Sequence, residues 1–304
     1  MKRDFLKIAD LSREELRKVL SLARVLKSEP KGARVHELSG RSVAVVLEKP
    51  STRTRVSFEI GAAHLGAHPV VLTTDGSQLA RGEPIKDTAR VLSGYADMIV
   101  FRTFGDDRLA DMARYASVPV INALSDAGHP VQVLCDVFTI EEATGQSIAG
   151  KTVAFVGDCS SNMGRSFVEA ATLFDFHLAL AAPEGYFPPP EELDPAVKQG
   201  VVSVHANGKS AAKGAIAVNT DVWTSMGQEA EQKRRLAAFH GWTLGEDAYA
   251  EAAENALALH CLPAHRGEEI SEELLEGPRS RVWVQAENRL HVQKALMLFL
   301  FGKA

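Results

Sequence analysis

The chain has 304 residues, 45% hydrophobic and 24% charged, which is long enough for two domains with cores of their own. A formal net charge of −5 and the lack of a long Lys/Arg run argue against a general nucleic-acid binder. No apolar stretch approaches the roughly 20 residues of a membrane helix, the start Met1-Lys-Arg-Asp-Phe-Leu-Lys7 lacks an apolar signal core, and the three cysteines show neither disulfide nor metal-ligand spacing. The expectation is a soluble, cytoplasmic, catalytic α/β protein.

In chain order, Ser12-Arg-Glu-Glu15 opens a first helix with a capping-box pattern. Ser42-Val-Ala-Val-Val-Leu47 is short, β-branched and bounded by Gly40 and Pro50, so it reads as a buried parallel strand. From Val56 to Leu65 the spacing turns helical, with Phe58, Ala62 and Leu65 on one face. Ser51-Thr-Arg-Thr-Arg55 therefore lies where a strand's carboxyl end feeds a helix amino terminus. Free N–H groups and the positive helix dipole collect there, and arginine adds a fork suited to phosphate or carboxylate. Further strands are predicted at 69–73, 97–101, 118–121, 152–156, 177–181, 201–204, 215–218, 257–261 and 281–284, with helices at 131–143 and 288–301. Such alternation predicts an α/β protein of two domains, each a parallel sheet flanked by helices, with a cleft between them. Gly40-Arg-Ser-Val-Ala-Val-Val46 matches Gly150-Lys-Thr-Val-Ala-Phe-Val156 in register, as if two α/β units begin alike. The turn-rich end of 141–150 marks the boundary.

Polar groups gather at the predicted strand ends, where ligands bind in open parallel sheets. Arg102 follows Asp97-Met-Ile-Val-Phe101, and His129 precedes the helix at 131–143 in His129-Pro-Val-Gln132. His129 is placed either to cap that helix or to hydrogen-bond a developing oxyanion. Gly157-Asp-Cys-Ser-Ser-Asn-Met-Gly164 is a poor dinucleotide signal, with two glycines and Asn162 at a helix start. Asp221-Val-Trp-Thr-Ser-Met-Gly227 offers a carboxylate, hydroxyls and amides, suited to an amino acid bearing both ammonium and carboxylate. In His260-Cys-Leu-Pro263, adjacent strand residues face opposite ways, which weakens a Cys/His nucleophile pair.

Taken together and in this order, Ser51-Thr-Arg-Thr-Arg55, Phe101-Arg-Thr103, His129-Pro-Val-Gln132, Asp221-Val-Trp-Thr-Ser-Met-Gly227 and His260-Cys-Leu-Pro263 resemble the transcarbamylase family over nearly the whole chain. The last two motifs resemble its ornithine branch. The resemblance implies a carbamoyl-phosphate domain (1–140 with 287–304) and an ornithine domain (141–286), the final helix crossing back to the first. It implies that Ser51, Thr52, Arg53, Thr54, Gln78, Arg102, His129, Gln132, Cys261, Leu262 and Arg289 bind carbamoyl phosphate, and that Asn162, Asp221, Ser225 and Met226 bind L-ornithine. Arg102, His129, Cys261 and Asp221 would be catalytic. The implied reaction is attack of the neutral δ-amine of ornithine on carbamoyl phosphate, giving citrulline and phosphate in arginine metabolism. It uses no metal and no organic cofactor. The implied assembly is a homotrimer sharing active sites, with Gln78 delivered from a neighbouring subunit, and no nucleic-acid or membrane partner. A different amine acceptor (putrescine or an acylated ornithine) and a non-catalytic anion-sensing homologue are the alternatives.

Overall fold

A computed structural model describes residues 2–30, 33–74, 82–224 and 231–303. Two compact units form, Met1–Leu134 with Glu287–Ala304, and Cys135–Ala286.

The first unit begins with α1 (Arg13–Ser28). Its capping box forms as the sequence predicts: Ser12 Oγ accepts from Glu15 N at 3.2 Å, and Glu15 Oε2 accepts from Ser12 N at 2.9 Å. There follow β1 (Ser42–Leu47), α2 (Thr52–His64), β2 (His68–Thr73), α3 (Ile85–Tyr95), β3 (Met98–Arg102), α4 (Asp106–Tyr115), β4 (Val120–Leu124) and α5 (Pro130–Thr144). The four strands are parallel in the order β2-β1-β3-β4. Successive residues Val43 to Leu47 are all buried, which means that both faces of β1 are covered; hence its unbroken apolar sequence. The outer strand β2 alternates in exposure instead. Ala44, Val46, Ile99, Phe101, Ile85 and Met112 form the core between this sheet and α3–α4. Complete burial of a side chain such as Ile99 or Phe101 contributes about 1.5–3 kcal/mol.

The second unit continues through β5 (Thr152–Val156), α6 (Asn162–Phe174), β6 (His177–Ala181), α7 (Pro190–Lys198), β7 (Val202–His205), α8 (Gly208–Ala212), β8 (Ala217–Thr220), α9 (Gln232–Ala238), β9 (Leu257–His260), α10 (Glu272–Glu276) and the start of α11 (Val282–Leu300). Its five parallel strands run β7-β6-β5-β8-β9.

In each sheet the strand order reverses once, between β1 and β3 and between β5 and β8. The two strands whose sequences echo each other, β1 and β5, hold the same position beside these reversals. A crevice for ligands opens at the carboxyl ends of strands at such a point. The strand predicted at 281–284 is wrong. Ser280 touches the sheet through a bridge to Ala258, but Val282, Trp283 and Val284 form the first turn of α11. Two valines and a tryptophan favour a strand only in a pleated, half-buried setting. Here Val282 enters the core beside Leu274 and Leu275 while Trp283 is half exposed, as helical spacing requires. Among the described residues no helix is long and apolar enough to cross a membrane.

Candidate functional site

In the first unit the loop from β1 into α2 forms a capped helix start. Ser51 is the N-cap, its hydroxyl accepting from Thr54 N at 3.2 Å and lying 3.1 Å from Thr54 Oγ1. Thr52 is exposed, Arg53 half-buried and Thr54 fully buried. Arg55 turns away to pair with Glu59 one helical turn on, at 3.4 Å between exposed side chains. Of the two arginines in this segment, Arg53 is thus the one associated with the site.

Around it the structure brings together Arg102, His129, Gln132 and Arg289, four of the residues expected from distant parts of the sequence. Arg289, on α11 and buried, donates from Nη2 to Thr54 Oγ1 at 3.1 Å and from Nη1 to Gln132 Oε1 at 2.8 Å. One guanidinium fork therefore ties α2 to the start of α5. Arg102 ends β3 and is buried; His129 immediately precedes α5 and is 3% exposed. Burial holds the His129 pKa well below the usual imidazole range, and the guanidinium groups of Arg289, Arg102 and Arg53 push it the same way. The result is a neutral imidazole among three arginines beside a helix amino terminus, an arrangement suited to an anion with a polarisable carbonyl.

Sequence reasoning missed the residues that brace this site. Glu48, directly after β1, is buried and accepts from Thr103 Oγ1 and from Arg108, with Arg108 Nε at 3.0 Å. Lys49 Nζ meets Asp126 Oδ1 at 2.5 Å and lies over the Phe104 ring. The signal was a charged pair placed directly against an apolar strand end, in Glu48-Lys-Pro50. Gln78 lies outside the described residues.

In the second unit, the helix after β5 is capped by Ser161, which accepts from Gly164 N at 3.3 Å. Asn162 is the first helical residue and is not the cap. Gly164 is needed for close packing: a Cβ there would sit 2.1 Å from the Cys159 carbonyl oxygen. Asp158 in the same loop forms a buried pair with Arg235 at 2.5 Å, and Arg235 also donates to the Trp223 carbonyl at 2.9 Å. This brace too escaped the sequence reading.

At the neighbouring strand ends, Cys261 Sγ donates to Asp221 Oδ1 at 3.0 Å, and Val222 N donates to the same oxygen at 2.8 Å. Burial raises the Asp221 pKa, with Glu269 adding to it, against the opposing pull of His260 and the hydrogen bonds from Cys261 and Val222. His260 supports the turn that presents Cys261. Its Nδ1 accepts from Leu262 N at 2.8 Å, its Nε2 lies 2.9 Å from Glu269 Oε1, and its backbone N–H donates to Gln285 Oε1 at 2.9 Å. Nδ1 acts as an acceptor, so Nε2 carries the proton given to Glu269. This support explains a histidine beside a cysteine whose side chain it does not activate. Leu262 adopts a left-handed backbone before Pro263. Ser225 and Met226 lie outside the described residues.

Comparison with known proteins places both halves. Residues 3–142 match the family model for the carbamoyl-P binding domain of aspartate/ornithine carbamoyltransferase, and residues 149–300 match its Asp/Orn binding domain. The chain is 64% identical to an ornithine carbamoyltransferase of Sorangium cellulosum, covering 99% of this chain and 98% of that protein. It is 50% identical to one from Pelobacter propionicus, covering 99% of each. Among solved structures, the anabolic ornithine carbamoyltransferase of Campylobacter jejuni superposes with a TM-score of 0.92 at 40% identity over 100% of both chains. The Burkholderia thailandensis ornithine carbamoyltransferase gives 0.90 at 43% identity over 99% of each.

Proposed function

The chain belongs to the aspartate/ornithine carbamoyltransferase family, and from that premise we infer that it transfers the carbamoyl group of carbamoyl phosphate to the δ-amine of L-ornithine, giving L-citrulline and phosphate. The observation that carries the ornithine assignment is the 3.0 Å contact between Cys261 and Asp221 in the second unit, a carboxylate and a thiol set for an amine-bearing amino acid. The ornithine carbamoyltransferase relatives at 64% and 50% identity support the same acceptor over putrescine or an acylated ornithine.

In this reading Ser51, Thr52, Arg53 and Thr54 hold the phosphate through the amino terminus of α2 and the Arg53 fork. Arg289 fixes Thr54 and Gln132, and Gln132 meets the carbamoyl amide. Arg102 and neutral His129 donate to the carbamoyl oxygen. Cys261 and Leu262 contact the carbamoyl group. Asn162 and the Ser225–Met226 segment take the α-carboxylate of ornithine, and Asp221 takes its α-ammonium. The neutral δ-amine forms a C–N bond to the carbonyl carbon. The resulting oxyanion is stabilised by Arg102 and His129, the C–O bond to phosphate breaks with the electron pair leaving on phosphate, and the amine proton departs to that phosphate or to water. Positioning and fixed cations supply most of the acceleration.

The role is anabolic, in arginine biosynthesis, a reading supported by the likeness to the anabolic ornithine carbamoyltransferase of Campylobacter jejuni. The chain acts in the cytoplasm as a homotrimer in which Gln78 serves a neighbouring subunit's site. Incubating purified protein with carbamoyl phosphate and ornithine, putrescine or N-acetylornithine in parallel tests the activity. Citrulline must form, and equal turnover of either analogue overturns the acceptor assignment. Subunit exchange between Gln78→Ala and Arg102→Ala proteins should restore part of the lost activity, and none would return if each site were built from one chain.

A further inference from the structure

Beyond the substrate residues, His265, Glu268 and Glu269 converge on one turn that follows His260-Cys-Leu-Pro263. His265 Nδ1 lies 3.5 Å from Glu268 Oε2 and 3.9 Å from Glu269 Oε2, and all three ligand atoms fall within 4.8 Å of one another. Backbone bonds fix the turn: Glu268 N donates to His265 O and Gly267 N to Ile270 O, each at 2.9 Å. Gly267 stands at φ +84°, a conformation that costs glycine little.

Glu269 supplies the independent sign of a ligand. Its side chain is wholly buried. Oε1 accepts from His260 Nε2 at 2.9 Å and from His265 N at 2.6 Å, while Oε2 has no hydrogen-bond partner among the described residues and faces His265 Nδ1. A buried acceptor left unsatisfied costs about 1–3 kcal/mol, and more when charged. The adjacent cation does not relieve it, because Arg266 is committed to Glu272 at 2.5 Å and Glu276 at 2.8 Å.

We propose that His265 Nδ1, Glu268 Oε2 and Glu269 Oε2 bind one divalent transition-metal ion, with water completing its coordination. One imidazole nitrogen and two carboxylate oxygens form a mixed donor set of the kind zinc, cobalt and nickel accept. Ligands each roughly 2.0–2.2 Å from such an ion lie about 3.3–3.6 Å apart. The observed separations close to this by small rotations of His265 and Glu268, whose side chains are 47% and 39% exposed and open to solvent. The buried Glu269 forms the floor of the site. The group Asp221, His260 and Cys261 also converges within 4.8 Å, but it belongs to the substrate site and contains sulfur, which makes the two distinguishable.

Full-length protein stripped with a chelator and titrated with Co²⁺ tests the proposal. One Co²⁺ per chain should bind, with ligand-field absorption, no thiolate-to-cobalt band, and a raised thermal midpoint. His265→Ala and Glu268→Gln should each weaken Co²⁺ binding by about 10-fold or more, while Cys261→Ser leaves it unchanged. Both side chains lie at the surface, and unaltered ornithine turnover without added metal confirms that each variant folds. No uptake by the parent protein overturns the site, leaving a plain His265–glutamate ion pair. Uptake that survives both substitutions, or a thiolate band abolished by Cys261→Ser, also overturns it.

Discussion

The Cys261 thiol donates to Asp221 Oδ1 across 3.0 Å and so joins the loop after β9 to the loop after β8. Asp221 is buried, and its carboxyl is already biased toward the neutral form. Cys261→Ala removes this donor from that oxygen and leaves the one from Val222 N. Loss of such a bond at a buried acceptor costs about 1–3 kcal/mol, so the ornithine KM should rise about 10-fold. Carbamoyl phosphate affinity, read by calorimetry, should stay near the parent value, because most of the residues proposed to bind it lie in the first unit. Equal loss of both would show that the two units do not divide the substrates as assigned.

Arg289 reaches Thr54 and Gln132 with separate nitrogens of one planar fork. Lysine offers a point charge that serves one acceptor and leaves the other buried and unpaired. Arg289→Lys should therefore weaken carbamoyl phosphate binding by about 10-fold or more, with ornithine recognition largely retained. Unchanged carbamoyl phosphate affinity in this variant would remove Arg289 from the anion site.

His129 makes the pH dependence of folding testable. Its folded pKa lies below the unfolded value of about 6.5, so the unfolded chain binds the extra proton between the two. The stability tied to a neutral His129 is complete above about pH 6.5 and is lost as pH falls from there toward the folded value. Urea unfolding at pH 7 and pH 5 should show the parent protein losing up to about 1.4 kcal/mol per pH unit more than His129→Gln. Identical acid slopes for the two proteins would mean that His129 is not held neutral.

Asp158 and Arg235 are both buried and meet at 2.5 Å in the second unit. Asp158→Ala leaves the guanidinium to the Trp223 carbonyl, the half-exposed Glu231 and the face of the Tyr186 ring, without its buried counter-charge. Removing one partner of a buried pair costs about 3–5 kcal/mol. Chemical denaturation should show that loss, and a change below about 1 kcal/mol would mean that water already solvates the pair.

The contrast between what was readable and what was not follows from range. The capped helix start at Ser51–Thr54 was legible because strand, cap, hydroxyls and helix are contiguous, and each leaves a local signature. Arg102, Asp221 and Cys261 were legible as polar residues at the ends of apolar runs. The pairs Glu48–Arg108, Asp158–Arg235 and Glu269–His260 join residues 60, 77 and 9 positions apart, and no spacing rule announces which charge meets which. The first turn of α11 was misread for a related reason. Val282, Trp283 and Val284 carry β propensity, but packing of Val282 against Leu274 and Leu275 decides their state.

Choice of acceptor puts the second unit under the sharpest test. Asp221 stands at 8% exposure at the end of β8, and Asn162 opens α6, whose amino terminus carries the positive end of the helix dipole. A ligand with an α-ammonium and an α-carboxylate satisfies both ends, whereas putrescine supplies no carboxylate and leaves the amide donors unpaired. Sites built to pair a buried polar group reject analogues lacking it by up to roughly 10⁴-fold. The ratio of kcat/KM for ornithine over putrescine should approach that size in the parent protein. Asp221→Asn, which weakens the ammonium contact that putrescine's distal ammonium also makes, should lower both values and leave their ratio near that of the parent. The rate with ornithine should rise with pH as the δ-amine, with an ordinary pKa of about 10.4, loses its proton. Aspartate should not react, since it has no δ-amine to attack with. A parent protein that turned over putrescine as well as ornithine would show that the Asp221–Asn162 pair does not read the amino-acid end, and the acceptor would have to be sought again.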